Sequence, residues 1–116
     1  MKSVYIFILA FLLAFSFNYL FAKDLPGKYL FDNSKGKYGS CNHCHINGGT
    51  ASAGRLNFAS GEISEEEGRK IPVLKGIGKR KNQEQIERSI QFMRKIFDFK
   101  LTEKEISQLA EYIGTL

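Results

Sequence analysis

Residues 47–70 read NGGTASAGRLNFASGEISEEEGRK, and the fold class turns on whether this stretch is irregular chain or something packed. Its first part, residues 47–62, is built of glycines and small residues. It shows no helical or two-residue period of apolar side chains, so it reads as a loop. Its second part, residues 64–70, opens on Ser64 three residues before Glu67. That spacing is a capping box, in which each side chain satisfies the other's backbone donor, and Gly68 limits the resulting helix to a turn or two. No strand is expected anywhere in the stretch.

The flanking segments read as helices. Upstream, residues 24–33 (DLPGKYLFDN) carry Leu25, Tyr29, Leu30 and Phe31 at near-helical spacing, with Pro26 in a first turn that tolerates it. Downstream, Asn82 can cap a helix through QEQIERSIQFMRKIF, whose Ile86, Ile90, Met93 and Phe97 form one apolar stripe of period 3.6. A last helix starts at Thr102, with Glu105 completing its capping box. It carries Ile106, Leu109, Tyr112 and Ile113 and stops at Gly114. The expected fold class is therefore all-α, three to five short helices joined by long loops. Loops of this length are uncommon in so small a domain unless something else organises them.

The chain has 116 residues, enough for one domain. Residues 1–22 combine Lys2, an apolar run from Val4 to Phe17, and Ala22 ahead of the charged pair Lys23-Asp24. That is the layout of an export signal cleaved after Ala22, leaving a domain of residues 23–116. The competing reading is an uncleaved membrane anchor, because the stretch approaches the roughly 20 residues that span a bilayer. Without residues 1–22 the chain keeps 16 Lys and Arg against 12 Asp and Glu, a mildly basic balance. Such a balance suits an acidic protein face or an anionic surface. Nucleic acid is a poor partner for an exported chain in which no basic run is interleaved with aromatics.

Just before the opening stretch stands Cys41-Asn42-His43-Cys44-His45, which holds both cysteines and both histidines of the chain. A redox dithiol at this spacing sits after a strand in a βαβ setting, and no strand is expected before Cys41. A structural zinc site wants four ligands, usually as two separated pairs, and only one cluster exists. C-x-x-C-H is also the attachment sequence for c-type haem. On one helical turn, positions three apart face the same way, so Cys41 and Cys44 can form thioethers on one edge of a porphyrin. His45 is then carried beneath the iron as proximal ligand, and His43 is a solvent-facing spacer. One covalently attached haem c per chain is the cofactor expected, and it would organise the long loops.

With that motif the chain resembles the monohaem class I cytochromes c of the bacterial, periplasmic type, over essentially all of residues 24–116. GKYLF, with Gly27 and Phe31, is similar to the amino-terminal helix of that family, and LAEYI, with Leu109 and Tyr112, to the carboxy-terminal helix it packs on. IPVLKGIGKR is similar to the segment whose Pro carbonyl accepts the proximal His ring proton, which assigns Pro72. The resemblance implies the small class I cytochrome c fold around one haem, and a methionine sixth ligand, here Met93. A helical Met on an apolar stripe is also a common core filler. Residues 47–70 have no counterpart in the family, and within them Arg55 is a candidate partner for a haem propionate.

The resemblance implies an electron carrier in the periplasm, its iron cycling between Fe(III) and Fe(II), and not an enzyme in its own right. Its redox partners would dock at the exposed haem edge, steered by Lys75, Lys79, Arg80 and Lys81. Contact with a membrane is expected only if the N-terminal segment stays uncleaved. Two alternatives stand beside the carrier. One is a cytochrome subunit of a periplasmic oxidoreductase, for example one oxidising a sulfur compound. The other is a haem sensor or peroxidase-like protein with an open sixth position, which requires Met93 to be structural.

Overall fold

A computed structural model describes residues 25–116 of the chain. The segment read as export signal or anchor, residues 1–22, lies outside the described residues. No helix among the described residues is long and apolar enough to cross a membrane.

Helix α1, Pro26–Asn33, begins with its proline in the first turn and buries Gly27, Leu30 and Phe31. Helix α2 is the single turn Cys41–Cys44. Helix α3, Gln83–Phe97, is closed at its start by a reciprocal capping box between Asn82 and Gln85, and buries Ile86 and Ile90. It ends at Asp98, whose left-handed backbone (φ 54°) turns the chain away. Helix α4, Glu103–Ile113, has the Thr102–Glu105 capping box and buries Ile106, Leu109, Ala110, Tyr112 and Ile113. The core forms where α4 lies between α1 and α3, and Phe31, Ile106 and Leu109 are its most completely buried side chains.

Gly27 lets α1 and α4 cross closely. A Cβ at this position would collide with the carbonyl of Gln108 and stand 2.7 Å from the Tyr112 Cβ. One bulky residue here would therefore push the two helices apart.

The all-α expectation is overturned by two small antiparallel sheets between α2 and α3. Strand β1, His45–Ile46, pairs with β2, Ala51–Ser52. The chain reverses between them through positive φ at Asn47, Gly48 and Gly49 (58°, 68° and 99°). Strand β3, Arg55–Leu56, lies between β4, Ile63–Ser64, and β5, Arg69–Lys70, pairing with both. The molecule is a small mixed α/β fold. Residues 47–62, expected to be loop, thus contain β2 and β3 together with the reversal that precedes β2, and β4 opens immediately beyond. Two residues per strand are too few to show an alternating pattern, and so the sequence carries no strand signal here. What drives the pairing is the need of backbone amides and carbonyls beside the core for partners. Leu56 at 4% exposure and Ile71 at 5% anchor this part of the chain.

Residues 64–70 also depart from expectation. Ser64 Oγ does accept from the Glu67 amide at 3.0 Å, as a helix cap would, but it also donates to the Glu67 carbonyl at 3.0 Å and closes an isolated turn between β4 and β5. Glu65, Glu66 and Glu67 are all exposed, so a helix here would have no apolar face to bury.

Candidate functional site

The C-x-x-C-H run is delivered to the core by a left-handed glycine and a single helical turn. Gly39 (φ 114°) redirects the chain, Ser40 precedes the helix, and Cys41 and Cys44 stand one turn apart. Both sulfur-bearing residues line a cavity of about 280 Å³. His43 points away and is exposed. His45 leaves the helical conformation (φ −100°, ψ 82°), which brings its half-buried ring to the cavity wall.

His45 Nδ1 lies 2.9 Å from the carbonyl oxygen of Pro72. A carbonyl can only accept, so Nδ1 carries the proton and donates it, and the Nε2 lone pair is left free. Burial lowers the His45 pKa, with the Pro72 bond opposing it more weakly, so the ring is held neutral. Burial likewise pushes the Cys41 thiol up from 9.0 to about 11, and raises that of Cys44. The two thiols are not bridged. A nucleophilic redox dithiol needs a lowered pKa, and here the environment acts the other way.

The cavity is walled almost wholly by apolar side chains. The motif turn contributes Cys41, Cys44 and His45; the following segments contribute Leu56, Pro72, Leu74 and Ile77. Helix α3 adds Ile86, Ile90, Met93 and Phe97, and the two terminal helices add Phe31, Leu109 and Ile113. Among the described residues no buried side-chain nitrogen or oxygen lacks a partner. Nor, among the described residues, are three or more His, Cys, Asp or Glu side chains grouped so as to hold a metal ion. The chemistry on offer is two protonated thiols and one oriented imidazole facing an apolar space. Such a donor set could hold an apolar cofactor through two thioethers.

Met93 lies on the cavity wall, on the α3 stripe, yet it is 37% exposed where Ile86 and Ile90 are 3% and 7%. It is therefore at the rim and not in the packed core. Arg55 sits in β3 with its guanidinium donating to the Gly68 carbonyl at 3.2 Å, and it is not among the cavity-lining residues. Among the described residues the one Lys or Arg on the wall is instead Lys81, whose ammonium donates to Ser89 Oγ at 3.4 Å. Lys75, Lys79 and Arg80 are exposed on the same segment. Sequence reasoning missed the lining roles of Tyr38 and Phe99. Both are solitary aromatics in irregular chain, where no period marks a buried side. No family model, curated protein or solved structure matches this chain.

Proposed function

We propose that the chain is a monohaem c-type cytochrome, a periplasmic electron carrier resembling the class I cytochromes c in its motifs. The observation that carries this reading is the hydrogen bond from His45 Nδ1 to Pro72, made beside two unbridged thiols on the wall of an apolar cavity. It leaves Nε2 as the one free imidazole nitrogen, oriented by a backbone acceptor that cannot titrate. A neutral ring fixed in this way is what an axial iron ligand requires.

The residues divide the work. Cys41 and Cys44 would hold haem c through thioethers, and His45 and the Met93 sulfur would be the ligands to its iron. Bound there, haem would supply one-electron chemistry between Fe(III) and Fe(II). Leu74, Ile77, Ile86 and Ile90 keep water from the site, and the packed α1, α3 and α4 hold its walls steady through a change of charge. Lys75, Lys79, Arg80 and Lys81 would meet an acidic face of the redox partner in a transient, electrostatically steered contact.

The test is mass spectrometry of the denatured, exported protein together with its visible spectrum. The expected result is the mass of the polypeptide plus one haem, since thioether bonds survive denaturation, and a low-spin spectrum. A polypeptide mass without haem, from a host able to attach it, would overturn the reading.

A further inference from the structure

The motif turn is too short to hold itself. Four residues make one turn of α2, below what helix propagation can stabilise alone, and its start has no side-chain cap on the backbone. At its far end it is fastened twice: His45 bonds to Pro72, and the Tyr112 hydroxyl donates to the Gly48 carbonyl at 2.8 Å. At its near end, among the described residues, the only side-chain fastening to another element comes from Asn42, a position that the attachment motif leaves unspecified. Asn42 Nδ2 donates to Asp32 Oδ1 in the last turn of α1 at 3.2 Å, while Asn42 Oδ1 accepts from the Ser40 hydroxyl. Asp32 itself follows Phe31, which is wholly buried against α4.

We propose that Asn42 is a positioning residue, pinning the attachment turn to α1 through Asp32 so that both sulfurs and the His45 ring already face the cavity when haem is attached. The chemistry of the side chain is specific. One end must donate to a carboxylate while the other accepts from a hydroxyl, and among side chains of this length only the asparagine amide does both. Aspartate at position 42 would set two carboxylates against each other. Alanine would leave Asp32 and Ser40 without this partner. An exchange of the two residues, aspartate at 42 and asparagine at 32, restores donor and acceptor with the net charge unchanged.

The purpose of the pin rests on the proposed function, but its existence does not, and the test separates the two. Asn42→Ala, Asn42→Asp and the double exchange Asn42→Asp with Asp32→Asn are made in the full chain. Each is expressed with a haem-attachment system and compared for the fraction carrying covalent haem. Hydrogen exchange is then measured in each full chain as purified. Asn42→Asp is expected to lower the haem fraction and to speed exchange at the amides of residues 41–45 by about two- to tenfold, with α3 and α4 unaffected. The double exchange should recover both. Wild-type exchange in Asn42→Asp, or no recovery in the double exchange, overturns the proposal. Should Asn42→Asp lose protection throughout the chain, the milder Asn42→Ser is measured. The same global loss there assigns Asn42 to overall stability and also overturns the proposal. A wild-type chain without haem sinks the cytochrome reading and leaves the exchange measurement to decide the pin.

Discussion

The Phe31 ring meets the Tyr112 ring edge-on, centroids 5.5 Å apart and planes at 61°, and this pair closes the crossing of α1 and α4. Phe31 has no exposed surface, so its removal leaves a cavity in the packed core. Phe31→Ala is expected to destabilise the protein by about 3 to 5 kcal/mol, measured by denaturant unfolding. A loss under about 1 kcal/mol would mean that the helices are not packed as described.

Gly27 tests the same crossing from its backbone side. Since a Cβ there already meets Gln108 and Tyr112, Gly27→Val must drive the helices apart. The expected cost is about 1 to 3 kcal/mol, read as a fall in melting temperature. A neutral outcome would show room that the helix contact does not leave.

Tyr112 has a second role that Phe31 lacks. Its hydroxyl fixes the turn after His45 through Gly48, so Tyr112→Phe should cost about 1 kcal/mol while the ring packing is kept. Hydrogen exchange at residues 45–50 should rise with it. Unchanged exchange there would separate the hydroxyl from the site.

Met93 distinguishes an axial ligand from a packing residue. A thioether on the iron gives ferric haem a weak long-wavelength charge-transfer band and favours Fe(II). Met93→Ala should abolish that band, admit added ligands quickly and lower the reduction potential. Because Met93 is 37% exposed, its loss should cost less stability than the roughly 2 to 5 kcal/mol of a buried methionine. A full core-sized loss with an unaltered spectrum would return Met93 to packing alone.

The thiols give a prediction with a definite sign. Cys41 in the folded chain titrates near 11, against 9.0 ordinarily, because burial disfavours the thiolate. Between these values the folded state binds more protons than the unfolded state, so stability falls as pH rises. In protein with free thiols this contribution is complete below about pH 9 and is lost on the way to pH 11. In protein whose cysteines are held as thioethers the same pH range should leave it unaltered. Urea unfolding at pH 8 and pH 10.5 compares the two forms, and an equal pH dependence in both would remove Cys41 as the cause.

Much of the site was legible because its signals are local. The three residues Cys41, Cys44 and His45 announce themselves by spacing, and the caps at Asn82 and Thr102 by the residue three positions on. The α3 and α4 stripes were equally legible, since helical periodicity repeats over enough residues to be counted. Residues 47–70 were misread for the converse reason. Strands of two residues have no period, and the Ser64–Glu67 spacing serves a turn as readily as a helix.

The sequence by itself therefore determined which segments become the longer helices, where they start, and which three side chains, Cys41, Cys44 and His45, are clustered along the chain. Each depends on residues within a few positions of one another. Only the tertiary structure decided that residues 45–70 pair as two small sheets, that Arg55 turns to Gly68, and that Lys81 reaches the cavity wall. It also decided that Asn42 meets Asp32 ten residues away and that Tyr112 reaches Gly48. These contacts join chain segments that are apart in sequence and meet only in the folded chain. Their partners are set by which backbone and side-chain groups the packed core leaves unsatisfied at its edge, and no local pattern encodes that.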